Sequence, residues 1–379
     1  MSWNLQSQTD QLRADGLWRE LRTLDSVQGP MVHIDGRELV NFSSNDYLGL
    51  ADSAELREAM REGVDRYGAG SGSSRLVCGT MKPHVELEAA LAAFKRTEAA
   101  LTYSSGYAVA LGTIPALIGS GDTIILDKLS HASLVDAARL SGATIRVFPH
   151  NHLGKLSKLL ETAKGRVLVV TEAIFSMDGD ACPLAEIVEL KDHHSAWLLL
   201  DEAHAVGVLG PQGRGLTAAL GLEGRVELQM GTMSKSLGLS GGYLAASRQV
   251  IDLLINRARS LIYSTAPPPC LAHAARVALE IVASPEGDRR REMLHQHVRQ
   301  LSPGTPLISA IVPRIIGDET RAMEASTRLR ESGFLIPAIR YPTVARGSAR
   351  LRITASAAHR PEQIQSLLQS LAAMGASPE

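Results

Sequence analysis

Apolar and polar positions along this chain fall into two alternating rhythms. Short apolar runs recur at Ala100–Tyr103, Thr123–Leu126, Thr144–Phe148, Val167–Thr171, Trp197–Leu200 and Tyr243–Ala246, with helical-looking stretches such as Glu86–Phe94 and Ala108–Leu117 between runs. A further run, Val226–Met230, alternates apolar and polar residues. Strands that alternate with helices predict a mostly parallel sheet covered on both faces. Ligands of such sheets gather beyond the carboxyl ends of the strands, and serine, glycine and charged residues do follow many of these runs.

Outside this region the rhythm changes. Residues 1 to about 30 read as a helical arm, with Leu5, Leu12, Leu17 and Leu21 among charges, before Gly29-Pro30 punctuates and Met31–Gly36 reads as a strand into a turn. A long helical stretch over 248–283 must break at Pro267-Pro268-Pro269, since three prolines cannot sit inside a helix. Residues beyond about 285 mix both patterns, as in a smaller α+β unit. The expected organisation is an N-terminal segment over 1–40, a large domain over 41–283 and a small C-terminal domain over 284–379.

Composition narrows the function classes. A chain of 379 residues that is 45% hydrophobic can bury the cores of a large and a small unit. A formal net charge of −1 without a basic block points away from nucleic acid. No run of eighteen apolar residues is present to span a membrane, and the first residues lack the pattern of a signal peptide. Cys78, Cys182 and Cys270 are odd in number and far apart, which suits reduced thiols in the cytoplasm better than disulfides or a metal site.

Candidate chemistry concentrates where the apolar runs end. Lys235 lies in Gly231-Thr232-Met233-Ser234-Lys235-Ser236-Leu237-Gly238, crowded by small residues, and Asp201-Glu202-Ala203-His204 closes the run Trp197–Leu200. An aspartate at one strand end and a lysine after a later one suit pyridoxal phosphate: the carboxylate keeps the pyridine nitrogen protonated and the amine forms a Schiff base. Ser104-Ser105-Gly106-Tyr107 precedes a helical stretch and suits a phosphate, or is an ordinary turn. Thr232 could add a hydroxyl to the same phosphate. His131 could stack on a flat ring or be a hydrogen-bonded loop histidine. Glu172 and Ser176 follow another run. Alternation turns Arg350 and Arg352 to one face of a strand, fitting either a substrate carboxylate or a solvated edge.

Taken together, these stretches resemble the α-oxoamine synthases, a family of fold-type I pyridoxal phosphate enzymes. Asn41–Leu50, Phe175–Asp180, Ile262–Thr265 and the run from Ala338 to His359 carry the likeness, which covers about residues 1–370. It implies an α/β fold, with a mostly parallel seven-stranded sheet in the large domain. It also implies that Lys235 binds the cofactor covalently and moves the substrate α-proton, with Asp201 at the ring nitrogen, His204 at the ring oxygen and His131 stacked. Gly106, Tyr107 and Thr232 would hold the phosphate and Ser176 would touch the cofactor. Ser264 or Thr265 would enter the site of a second subunit in a homodimer. Arg352 would bind the amino-acid carboxylate, and Arg19, Asn45, Arg340 and Thr343 fall where the family meets acyl substrate or product. The implied reaction is a decarboxylative condensation of L-alanine with a pimeloyl thioester, carried by coenzyme A or a carrier protein, on the way to biotin. Alternatives are a sibling joining glycine to an acetyl thioester or another amino acid to other acyl chains, or a non-catalytic relative. In this chain Tyr341 stands where relatives have proline before Pro342-Thr343, which bears on acyl preference.

Overall fold

The computed structural model describes residues 3–304, 306 and 309–374. The remaining residues of the segments expected over 1–40 and 284–379 lie outside the described ones.

Strands β1 (Met31–Ile34) and β2 (Arg37–Asn41) form an antiparallel hairpin through Asp35-Gly36. Both turn residues have positive φ, 52° and 72°, the two-residue geometry that matches the twist of paired strands.

The central sheet holds β3 (Ala99–Tyr103), β4 (Thr123–Asp127), β5 (Thr144–Phe148), β6 (Val167–Glu172), β7 (Trp197–Asp201), β8 (Leu228–Thr232) and β9 (Gly242–Ala246). Their spatial order is β3-β9-β8-β7-β6-β4-β5. Only β9 runs antiparallel to its neighbours, β3 and β8; the other pairs are parallel. Helices cover both faces, so the strands read as near-continuous apolar runs. Within β7, Leu199 packs with Ile124, Val170 and Leu244 on one face, while Leu198 and Leu200 join Val169 and Ile187 on the other. This period-two division is what a doubly covered strand requires.

A third sheet is built from β10 (Ile311–Gly317), β12 (Ala338–Ile339) and β13 (Ala349–Thr354), with β13 central and antiparallel to both. Between them in sequence, β11 (Phe334–Leu335) pairs in parallel with β2 instead, so residues 31–41 share a sheet with the C-terminal part of the chain. The Thr354 hydroxyl donates to the Phe42 carbonyl at 2.8 Å and ties β13 to the segment that follows β2.

Two sequence expectations are corrected. The N-terminal helix spans only Leu5–Ala14 and buries none of its residues, so nothing sustains it beyond Gly16, whose φ of 65° ends it. Helical structure over 248–283 is interrupted earlier than the prolines demand. Ala258 is extended (ψ 102°), Arg259–Ile262 is a separate short helix, and a long helix restarts only at Pro269, where a missing N–H costs nothing. Among the described residues, no helix is long and apolar enough to cross a membrane.

Candidate active site

The register of the parallel strands assembles the site. Glu172 is the partner of Asp201, and Asp201 of Met230, so the carboxyl ends of β6, β7 and β8 finish side by side. Beyond them opens a cleft of about 250 Å³ that brings together Gly106, Tyr107, His131 and Thr232 with Asp201, His204 and Lys235.

Lys235 owes its position to the return of the chain from β8 to β9. Met233 N–H donates to the Gly241 carbonyl at 3.0 Å, and Gly238 N–H to that of Lys235 at 2.8 Å. Gly238 has a φ of 69°, and a Cβ there would sit 2.5 Å from the Ala51 nitrogen, so only glycine lets this turn pack. The Lys235 Nζ lies 2.8 Å from His204 Nε2. Burial pushes the lysine down to about 8, although the carboxyls of Asp201 and Glu172 act in the opposite sense. Burial and the nearby lysine hold His204 well below the usual histidine range, so its ring is neutral at pH 7.

Two carboxyls face this amine. Asp201 Oδ1 accepts from the Ala203 N–H at 2.9 Å, and burial raises its pKa. Glu172 is driven up to about 8 by burial and by the neighbouring Asp201. Its Oε1 is buried with no hydrogen-bond partner among the described residues, marking a polar place in the cleft that the protein alone does not satisfy.

At the opposite wall, Ser105 caps the helix Gly106–Leu117 by accepting from the Ala108 N–H at 3.1 Å. The first amides of that helix have no intrahelical partner and suit an anion. Gly106 faces Thr232, whose Cβ would lie 3.8 Å from a Cβ added at Gly106. Thr232 and Ser234 hydroxyls are 2.8 Å apart beside it. The Tyr107 ring points away, its hydroxyl donating to Asp136 at 2.5 Å, so its amide is the part available to the turn. His131 caps the helix Ala132–Ser141 at the solvent-exposed mouth, its Nδ1 accepting from the Ser133 N–H at 3.2 Å.

A chain of contacts leads from the lysine to Arg352. His204 Nδ1 lies 2.6 Å from the Tyr47 hydroxyl, which donates to Asn45 Oδ1 at 3.1 Å. That same oxygen accepts from both terminal nitrogens of Arg352 at 3.2 Å, while Arg352 Nε donates to the Ser176 carbonyl at 2.6 Å. Ser176 thus enters this network through its main chain. On the same face of β13, Arg350 donates to Asp178 Oδ1 at 2.5 Å.

Other expected site residues lie apart from the cleft walls. Arg19 donates to the Thr343 hydroxyl at 3.3 Å and Arg340 to the Trp18 carbonyl at 3.2 Å, which docks the N-terminal segment on the 340–343 loop. Thr265 is exposed and bridged to Ser74, outside this chain's own cleft. Tyr47 was not singled out from sequence, while Glu172 was noted at the end of its apolar run but given no role. Tyr47 sits inside the quoted Asn41–Leu50 stretch, and Glu172 ends an apolar run as Asp201 does, so strand-end position was the available signal.

The residue set fits the cofactor that the resemblance implies. It offers a buried amine of lowered pKa, a buried carboxyl beside it and an unpaired helix terminus across the cleft.

Known proteins extend the likeness. The family Aminotransferase class I and II matches residues 37–371. The 8-amino-7-oxononanoate synthase of Geobacter sulfurreducens is 46% identical, covering 99% of this chain and 98% of its own. Among solved structures, serine palmitoyltransferase from S. paucimobilis superposes with a TM-score of 0.92 at 31% identity, over 98% of this chain and 96% of that one. The 8-amino-7-oxononanoate synthase from Francisella tularensis gives 0.75 at 27%, over 89% and 98%.

Proposed function

We propose, since the chain belongs to the class I and II aminotransferase family and to its α-oxoamine synthase branch, that it condenses L-alanine with a pimeloyl thioester. The products are 8-amino-7-oxononanoate, carbon dioxide and the free thiol, a step of biotin biosynthesis. Identity of 46% over nearly the whole of both chains with a synthase of that name supports the substrates. The observation that carries the chemistry is the continuous contact from Lys235 through His204, Tyr47 and Asn45 to Arg352.

Pyridoxal phosphate, when bound, supplies an aldehyde that links covalently to an amine and a protonated ring that withdraws charge from the adjoining carbon. Lys235 is the residue to carry it, because a lysine with a pKa of about 8 is roughly one-tenth neutral at pH 7, where an ordinary lysine is almost wholly charged. Asp201 would hold a proton on the ring nitrogen, and that cation gives the buried carboxylate a partner. Gly106 and Tyr107 amides with the Thr232 hydroxyl would hold the phosphate, His131 would stack on the ring, and His204 and Ser176 would contact it. Once released, the Lys235 amine serves as the base for the alanine α-proton.

Arg352 orients the amino acid. An arginine has five N–H groups, and its bonds to Ser176 and Asn45 use three, so each terminal nitrogen keeps one outward N–H that can reach the alanine carboxylate. Asn45, Arg19, Arg340 and Thr343 would meet the acyl substrate or product. Thr265 belongs to the site of a second copy, in a homodimer. The domain reading keeps residues 41–283 as the cofactor-carrying unit, 284–379 as the small domain and 1–40 as the N-terminal segment. The proposed setting is the cytoplasm, where Cys78, Cys182 and Cys270 stay reduced.

A second reading, condensation with a long-chain or short-chain thioester, draws on the higher TM-score of serine palmitoyltransferase. Rates measured side by side decide. We expect alanine with pimeloyl-coenzyme A or pimeloyl carrier protein to exceed serine with palmitoyl-coenzyme A and glycine with acetyl-coenzyme A. Preference for either of the latter pairs would reject the pimeloyl assignment.

A further inference from the structure

His150 stands outside the cleft, yet both of its ring nitrogens meet carboxylates. Nδ1 lies 3.1 Å from Asp127 Oδ1 and Nε2 lies 2.8 Å from Asp180 Oδ2. The ring meets Phe175 edge-on, with centroids 4.3 Å apart. Burial alone would lower its pKa, but the two carboxylates outweigh that and raise it to about 10. With a proton on each nitrogen, the ring is a cation at neutral pH.

The two carboxylates belong to different walls of the site. Asp127 ends β4 and is itself buried. It accepts from the Leu129 N–H at 2.8 Å and the Asn151 N–H at 2.9 Å, which shapes the turn leading to His131. Asp180 closes the loop after β6, where its carbonyl accepts from the Phe175 N–H at 2.9 Å. That loop presents the Ser176 carbonyl to Arg352 and the Asp178 carboxylate to Arg350. Asn151 adds bonds from its side-chain amide to Asp180 Oδ2 and the Ala181 carbonyl, each at 3.1 Å.

We infer that His150, shared as a cation between Asp127 and Asp180, is a positioning residue that fixes the 173–182 loop to the end of β4 and so aims Arg352 at the amino-acid carboxylate. The inference rests on the proposed role of Arg352. Without the cation, two carboxylates would face one another and drive the loop outward. The arginine would lose the fixed carbonyl at its Nε, while the lysine end of the cleft, held by the β8–β9 turn, would not move.

The test is His150→Gln in cofactor-loaded protein. The KM for alanine should rise on the order of tenfold through misplacement of Arg352, with kcat and the KM for the acyl thioester changed far less. Hydrogen exchange should quicken at the amides of Phe175, Gly179 and Cys182 and stay unchanged in β7 and β8. Asp180→Asn retains the Asp127–His150 pair and should show the same pattern at smaller size, so it decides alone if His150→Gln does not fold. A folded variant with normal alanine KM and unchanged loop exchange would overturn the inference. Failure of the wild-type protein to consume alanine would instead sink the functional reading, and the exchange rates would still decide on His150.

Discussion

Lys235 and Tyr47 hold opposite nitrogens of one buried imidazole. His204 Nε2 is 2.8 Å from the lysine Nζ and Nδ1 is 2.6 Å from the Tyr47 hydroxyl. With Tyr47 donating onward to Asn45, the neutral ring carries its proton on Nδ1 and offers Nε2 to the amine. Removing the hydroxyl in Tyr47→Phe leaves that N–H buried and unpaired, at a cost of about 1–3 kcal/mol. Thermal unfolding should show Tm lowered by several degrees. An unchanged Tm would mean that water or another group replaces the hydroxyl.

The lowered pKa of Lys235 has two measurable consequences of defined sign. Only a neutral amine captures an aldehyde, so the rate at which cofactor-free protein takes up pyridoxal phosphate should climb with pH and level off above about 8. The folded-state value lies below the ordinary 10.5, so the unfolded chain holds the extra proton between those two pH values and stability rises with pH across that window. Below about 8 the cost of burying the charge is fully present. Lys235→Ala should therefore lose the absorbance band of lysine-bound cofactor, yet melt no lower than cofactor-free wild type at pH 7. The cost of burying the charge that the variant escapes, about 3 kcal/mol for a lysine brought from 10.5 to about 8, should vanish as pH approaches 10.5. A lower Tm at pH 7 would contradict a charge buried at a cost.

Asp201→Ala removes the group proposed to keep the ring nitrogen protonated. The variant should purify folded, since β7 is anchored by Leu198, Leu199 and Leu200, but retain cofactor poorly and turn over little. Cofactor content and rate should fall together, and near-normal turnover would refute the role.

At Arg352, substitution by lysine keeps the charge and loses the fork. One ammonium cannot reach the Ser176 carbonyl, the Asn45 oxygen and a substrate carboxylate together. The alanine KM should rise by roughly 10- to 100-fold, with cofactor binding intact. Initial rates of cofactor-loaded protein at varied alanine measure this, and an unchanged KM would assign the carboxylate to another residue, Arg350 being the nearest candidate on the same strand face.

How much of this could be read in advance varied with the physics. The apolar runs from Ala100 to Ala246 all became strands of the central sheet, buried on both faces except at the edge strand β5, which stays largely exposed. Lys235, Asp201 and His204 were legible because they stand at strand ends in the stretch between Trp197 and Tyr243. The short N-terminal helix misled because leucine spacing suggests a face, whereas Leu5, Leu12 and Leu21 find nothing to pack on and stay exposed. Tyr47 and His150 were invisible as participants. Their partners are 157 residues away in one case and 23 and 30 in the other, and no local period records such meetings.

Gly242 tests the phosphate wall without removing any polar side chain. It begins β9 opposite Tyr103 and Thr232, and it lies against the start of the helix Gly106–Leu117. A Cβ at this position would stand 2.6 Å from the Gly106 nitrogen and 2.7 Å from the Ser105 carbonyl carbon. Real side chains do not approach backbone so closely, so Gly242→Ala must push the helix terminus away from Thr232. The amides that would hold the phosphate then move, while Lys235, fixed by its own turn, stays able to capture the aldehyde. We expect the dissociation constant for pyridoxal phosphate to rise at least about tenfold, with smaller loss of affinity for pyridoxal, which lacks the phosphate. Equal losses for both would show that the substitution disturbs the lysine side of the cleft instead, and no loss would place the phosphate elsewhere.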